Sequence, residues 1–241
     1  MIDRASLSFP VLHEGPHELV VLKPAGMPSE LTSDPRGVSL ISRLRRACPP
    51  PLDPKLPHRL DRVTRGVMVV ALTPEAIAFH GEQIRAGAWE KYYLARVHTP
   101  RDRPMETLLG CHKAYLKRVR HRAQIVRSGG KPSFLELLAA HPAPGRPGQA
   151  HLLVKLLTGR FHQVRAMLAH LGLPLVDDPL YGAHPVRQRG RRGPQDFYLE
   201  HVLLKYTAYP GRAPCVAYMR DDPDREPLAP AMCAQIDALL D

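Results

Sequence analysis

The stretch HRLDRVTRG (His58–Gly66) runs straight into VMVVALT (Val67–Thr73). The second half decides the class of fold. VMVVAL is apolar on both of the faces that a strand would present, so it reads as a central strand buried on both sides. PEAIAFHGEQIRAG follows as a helix, with Pro74 in its first turn and Gly87 just past its end. The first half carries candidate chemistry. Asp61 stands between Arg59 and Arg62, and a carboxylate flanked by cations stays ionised and can serve as nucleophile or base. The same pattern also describes a structural ion pair or a loop cap. Gly66, at the junction of loop and strand, predicts a sharp turn or a close backbone approach, as to a ligand.

Outward from this stretch the chain alternates element types. ELVVLK is a strand that leaves into the loop PAGMPSE at Lys23-Pro24, because proline disfavours helix at the residue before it. SLISRLRRAC starts as a short amphipathic helix and stops at the triple proline Pro49–Pro51. EKYYLARVH is rich in strand formers, whereas the basic stretch 101–131 gives only a weak signal. SFLELLAAH and HLLVKLL read as two strands joined across the turn-rich PAPGRPGQ, a hairpin with a long connection. In HQVRAMLAHLG, Val164, Met167, Leu168 and Leu171 recur at helical spacing and Gly172 ends the run. FYLEHVLLKYTAY is a further strand and PLAPAMCAQIDALL a closing amphipathic helix. Without repeats or a strong linker, one α+β domain over 1–241 with a mixed or antiparallel sheet is expected.

The 241 residues, 44% of them apolar, suffice for a real core. The start MIDRASLSFP has neither the basic nor the apolar part of a signal peptide, and no apolar run approaches the roughly 20 residues of a membrane span. A cytoplasmic protein without a membrane partner is therefore expected. Cys48, Cys111, Cys215 and Cys233 are scattered, which suits reduced thiols better than a disulfide framework or a zinc site. The net charge of +11 favours a polyanionic partner. It gathers in two segments. KAYLKRVRHRAQIVRSGGK (113–131) includes Lys117, Arg118, Arg120 and Arg122, and HPVRQRGRRGP (184–194) includes Arg189, Arg191 and Arg192. Clustered cations suit phosphate contacts and salt-dependent binding. Two solvated basic loops are the plain alternative.

Two further segments hold chemistry-bearing residues. In TGRFHQVR, Arg160, His162 and Gln163 lie at the start of the helix, where unpaired N–H groups and the helix dipole favour anions, and Arg165 shares a face with His162. A polar helix start that only packs would look the same. In KYYLARV, Tyr92 and Tyr93 point to opposite faces, so only one can enter a given pocket, where it could stack a base or move a proton. A core tyrosine is the simpler alternative. The 13 histidines form no HExxH and no cluster with ligand spacing, so no metal is expected.

Together these segments resemble the RluA-type pseudouridine synthases. HRLDRVTRG is similar to the family motif HRLD-x-x-Thr-Ser-Gly, and VVLKPAGMP, KYYLARV, TGRFHQVRAMLAHLGLPLVDDPLYG and EHVLLKY follow in the family order, over roughly Val11–Pro227. The resemblance implies the pseudouridine synthase catalytic fold, α+β, with a mixed, largely antiparallel central sheet flanked by helices and loops. It implies an RNA substrate, rRNA or tRNA, one of whose uridines is flipped out and isomerised. Asp61 would attack the uridine, at C6 or at C1′; Tyr93 would stack on the base and assist loss of the C5 proton. Arg165 would pair with Asp61, and Arg59 and Arg62 would hold phosphates. No cofactor is implied, a monomer is expected, and no small N-terminal RNA-binding domain of the S4-like kind is expected ahead of the core. Three departures stand out: Arg65 for Ser, Phe161 for Thr and Asp177 for Gly. They keep open an alternative, a non-catalytic RNA-binding or assembly protein that retains the fold.

Overall fold

The computed structural model describes residues 2–31, 38–182, 197–211 and 213–240. Its strands and α-helices, in chain order, begin with β1 (Val11–Glu14), β2 (Glu18–Lys23), α1 (Leu40–Ala47), β3 (Arg65–Ala71), α2 (Pro74–Arg85) and β4 (Glu90–His98). There follow β5 (Gly110–Val119), β6 (Arg122–Ile125), β7 (Lys131–Pro142), β8 (Gln149–Leu156) and α3 (Gln163–His170). The last are β9 (Leu199–Thr207), β10 (Pro214–Tyr218) and α4 (Pro230–Asp237). They form two compact units: Met1–Glu90 with Glu200–Asp221, and Lys91–Leu199 with Asp222–Asp241. Among the described residues no helix is long and apolar enough to cross a membrane.

In the first unit all but the last residue of the VMVVAL run lies in β3, whose seven positions are all buried, Arg65 included. It pairs antiparallel with β2, from Glu18 opposite Ala71 to Lys23 opposite Gly66, and parallel with β9 through Arg65 and Gly66. β1 and β10 flank β2 and β9, both antiparallel. The sheet is thus mixed, with one parallel pairing. Val20, Leu22, Val67, Val69, Trp89, Leu204 and Tyr206 make one apolar cluster. α1 starts in a capping box between Ser39 and Ser42 and buries Leu40, Ile41, Leu44 and Ala47. α2 starts on the Thr73 hydroxyl, which accepts the Ala76 N–H at 3.2 Å, and packs on β3. A buried polar cluster closes this core: Glu18 meets His80 Nε2 at 2.8 Å, the Tyr206 hydroxyl at 2.9 Å and the Tyr209 N–H at 3.0 Å. Burial works to raise the Glu18 pKa, but these hydrogen bonds outweigh it and hold the carboxyl below its ordinary range.

The second unit is an antiparallel sheet in the order β4-β8-β7-β5-β6. The expected hairpin of SFLELLAAH and HLLVKLL is β7 and β8, with a register shift between Leu137 and Ala139. The basic stretch, which gave only a weak signal, forms β5 and β6 as an exposed hairpin. The loop joining them holds Arg120 at φ 53°. Arg96 of β4 is fully buried because Glu226 receives its Nε at 2.9 Å; the same carboxylate meets His151 Nε2 at 2.9 Å. α3 follows TGRF as expected, and Gly172 (φ 78°) stands just past its end. Its first six residues are all buried, Gln163 and Arg165 included, so the apolar stripe alone does not describe how it packs. α4 packs on β7.

Candidate active site

Asp61 sits on a loop of the first unit that its neighbours hold from three sides. His58 Nε2 accepts the Val69 N–H of β3 at 3.0 Å, and its ring meets Trp89 edge-on at 5.0 Å. Leu60 is buried, and one serine pins it: Ser29 Oγ accepts its N–H at 3.1 Å and donates to its carbonyl at 2.8 Å. Beyond Asp61, whose carbonyl accepts the Thr64 N–H at 3.1 Å, the Arg62 carbonyl accepts the Gly26 N–H at 2.7 Å and the Arg62 Nε donates to the Gly26 carbonyl at 2.9 Å. Leu60 and Thr64 are buried while Asp61 is half-exposed, so the carboxylate is reachable from a rigid backbone.

The support for this loop comes from PAGMPS, after β2. Lys23 has no exposed surface, and its Nζ donates to the carbonyls of Pro24 at 2.9 Å and Met27 at 2.8 Å. Burial pulls its pKa down to about 7, and the negative charge of Asp61 opposes the drop. Sequence reasoning gives Lys23 no role. Its position right after the apolar run LVVL is the only sequence signal, and the burial of its ammonium group comes from the fold.

The departure at Arg65 and the neighbouring Gly66 both have local partners. Arg65 is buried beside the fully buried Glu200 of EHVLLKY, Nη1 to Oε2 3.9 Å, at the register where β3 and β9 pair. Gly66 has φ 129°, and a Cβ there would lie 2.3 Å from the His201 carbonyl oxygen. The close approach expected of this glycine is to the β9 backbone, since parallel pairing brings that strand against it. Arg59 is exposed and meets Glu30, and Arg62 is exposed and holds Gly26.

The second unit carries Tyr93 and Arg165. Both Tyr92 and Tyr93 are buried, on opposite faces of β4. Arg165, in the first turn of α3, is gripped bidentately by Asp178: Nε to Oδ2 2.8 Å and Nη2 to Oδ1 2.7 Å. Asp178 Oδ1 also accepts the N–H groups of Leu180 at 2.9 Å and Tyr181 at 3.0 Å. Asp178 and Tyr181 lie in the quoted DDPLYG, yet sequence reasoning assigned neither a role. An aspartate accepting the amides two and three residues on is a readable Asx turn. Asp177 has φ 53°, the left-handed region where glycine is free and aspartate is tolerated, which accounts for the exchange.

The TGRFHQ loop is tied by Gln163, which is buried and whose amide bonds both within the loop and to β7. Its Oε1 accepts from the Thr158 hydroxyl at 2.9 Å and the Arg160 N–H at 3.0 Å, and its Nε2 donates to the Phe134 carbonyl at 2.9 Å. His162 and Arg165 do meet a common neighbour, Tyr181: His162 Nδ1 lies 3.0 Å from its hydroxyl, and the Arg165 guanidinium lies 5.1 Å from its ring centre. Arg160, Lys117, Arg118, Arg120 and Arg122 are exposed, the last four on the β5–β6 hairpin. Arg189, Arg191 and Arg192 lie outside the described residues.

Known proteins agree with this architecture. The family model described as RNA pseudouridylate synthase matches residues 17–170. The dual-specificity RNA pseudouridine synthase RluA of Escherichia coli K12 is 31% identical over 205 residues, covering 83% of this chain and 88% of that protein. The ribosomal large subunit pseudouridine synthase D of Pseudomonas aeruginosa is 32% identical over 182 residues, covering 71% of this chain; the match spans about half of that relative, 53% of its length. An uncharacterized RNA pseudouridine synthase homologue of Mycoplasma pneumoniae, 33% identical, is likewise spanned over only 55% of its length. The solved structure of human RNA pseudouridylate synthase domain containing 1 shares the fold, with a TM-score of 0.69 at 22% identity over 98% of this chain and 97% of that one. With the family model covering more than half of it, the chain belongs to the RluA-type family of RNA pseudouridylate synthases.

Proposed function

We propose that this chain is an RNA pseudouridine synthase, an isomerase that converts specific uridines of rRNA or tRNA to pseudouridine with Asp61 as its nucleophile. The observation that carries this reading is the Asp61 loop: a half-exposed carboxylate on a backbone pinned by Ser29, Gly26 and the β3 amide of Val69. A nucleophile must be reachable and held in place, and a surface ion pair needs neither. In the reaction, the N1–C1′ bond of an extruded uridine breaks, the uracil turns, and a C5–C1′ bond forms with loss of the C5 proton. Asp61 adds to the base or the sugar and leaves again, and the freed N1 takes up a proton as C5 loses one, so atoms balance without a co-reactant. Tyr93 is proposed to stack on the base and to assist loss of the C5 proton. Arg165 is proposed to be the cation that keeps Asp61 ionised, its guanidinium already oriented by Asp178. The enzyme is proposed to work in the cytoplasm, as a monomer.

Two of the three exchanges that favoured a non-catalytic protein now have structural accounts, Arg65 in Glu200 and Asp177 in its left-handed backbone. They weigh less for that alternative. Tritium release from total RNA labelled at uridine C5, taken from cells lacking this protein, tests the reading. Wild type should release tritium and Asp61→Ala should not; no release by wild type, or equal release by both, would overturn it.

A further inference from the structure

Lys91 stands two residues before Tyr93 on β4 and is half-buried. Among the described residues its ammonium makes no hydrogen bond and no ion pair, and burial alone holds its pKa below the ordinary lysine value. Lys23, the other lysine whose pKa burial lowers, has two carbonyls to donate to. A desolvated charge without a partner carries a free-energy cost that an anion beside it would offset.

The register of the sheet says what lies around it. Side chains two apart on a strand share a face, so Lys91 stands on the Tyr93 side of β4. Opposite Lys91 is Leu156 of β8, and opposite Leu156 is Leu135 of β7. Lys131 is on the same face of β7 as Leu135 and is paired with Leu116 of β5, whose face Arg118 shares. One face of this sheet therefore carries Tyr93, Lys91, Lys131 and Arg118. Lys131 and Arg118 also line a cavity of ≈ 390 Å³ together with Lys117, Arg160 and Gly159, and no carboxylate is among the described residues that line it. The Phe161 ring at this cavity is covered by the His162 ring at 3.7 Å and by the Arg118 guanidinium at 4.4 Å, so the cavity offers charge and not a stacking surface.

Gly159 joins the cavity to Lys91. A Cβ built on this glycine would meet, among the described residues, only the Lys91 Nζ, at 3.7 Å. Its φ lies outside the left-handed region, so the backbone does not require glycine there. What the missing side chain leaves is open space at the ammonium.

We infer that Lys91 binds a backbone phosphate next to the flipped uridine, reached over Gly159, and that the RNA strand runs on from there to the cations of the cavity. The inference rests on the reading of an RNA substrate whose uridine meets Tyr93, and adds where the strand beside that uridine lies. Cations spaced along one face suit a chain of phosphates, as in the charged grooves that track single strands.

Acetylation of the protein by an N-hydroxysuccinimide ester, read at Lys91 by peptide mass spectrometry, tests this without turnover. A lysine reacts as its free amine, and a phosphate beside it favours the charged form and covers it. Saturating oligouridylate should slow acetylation of Lys91 about tenfold, whereas uridine, which carries no phosphate, should not. In fluorescence polarisation, Lys91→Met should bind labelled oligouridylate about tenfold more weakly, the loss of one charge-assisted hydrogen bond, with a salt slope shallower by about 0.7. Gly159→Val should lose affinity to the same extent with the charge unchanged, because its side chain takes the space over the ammonium. Wild-type affinity in either variant, no protection by oligouridylate, or equal protection by uridine would each overturn the inference. Protection by inorganic phosphate but not by oligouridylate would also overturn it, by making the site one for a free anion. The acetylation arm uses the wild-type chain and so stands apart from any effect of the variants on folding. A protein that shows protection but releases no tritium sinks the synthase reading alone, and one that releases tritium without protection sinks this inference alone.

Discussion

Lys23 places an ammonium group where water does not reach it, beneath the loop that carries Asp61. Burial draws its pKa down to about 7, and an unfolded lysine titrates near 10.5. Between those values the unfolded chain holds a proton that the folded chain has shed, so raising the pH through this window stabilises the fold. Above it the residue is neutral in both states, and below about pH 7 it is charged in both. The stability difference between wild type and Lys23→Met should therefore move in favour of wild type by up to about 1.4 kcal/mol per pH unit between about pH 7 and 10. Urea denaturation of both proteins across the window reads this, and a flat difference refutes it. Other titrating groups cancel in the subtraction. At this scale the sequence was legible where a residue acts through its own neighbours. Asp61 stood out between two arginines, but its buried cation Lys23, the Glu200 beside Arg65 and the Asp178 on Arg165 are brought close only by the fold.

The elements that read most clearly were those with a repeating apolar pattern: β3 with its unbroken run, and α3 with Val164, Met167 and Leu168 at helical spacing and Gly172 past its end. The β5–β6 hairpin was not legible because its inward positions are few, chiefly Ala114, Leu116 and Ala123, and the remaining side chains are polar or exposed. The connecting loop also lacks the Asn-Gly or Asp-Gly signal, with Arg120 taking the positive φ instead. Pairing with β7 carries the order that local propensity does not supply. The junction of β3 and β9 is the opposite case, a single residue on which two strands depend. A methyl group at Gly66 would meet the His201 carbonyl oxygen at 2.3 Å, carbon 2.8 Å and nitrogen 2.6 Å, all backbone atoms that cannot swing away. Gly66→Ala should cost about 3 kcal/mol or more, combining overpacking with a strained φ. A urea midpoint within error of wild type would show that the strands can part without penalty.

Over the whole molecule the decisive property is where its charge lies. The +11 surplus was legible from composition, but only the fold says that Lys117, Arg118, Arg120 and Arg122 stand exposed on one hairpin. Exposed cations either contact phosphates or remain solvated, and the salt dependence of binding separates the two. Each phosphate neutralised releases condensed counterions, so the slope of log K against log salt counts the contacts, at about 0.7 to 0.9 per contact. Arg122 is committed to the Leu180 carbonyl and Arg118 to Phe161, which leaves Lys117 and Arg120 as the side chains to remove without disturbing those contacts. For the double variant Lys117→Ala/Arg120→Ala, binding to bulk tRNA should weaken, and its salt slope should be shallower than wild type by about 1 to 2. The melting temperature should stay within about 2 °C, because neither residue is buried. Parallel slopes for the two proteins would assign these cations to solvent, and the phosphate contacts would then have to come from elsewhere on the chain.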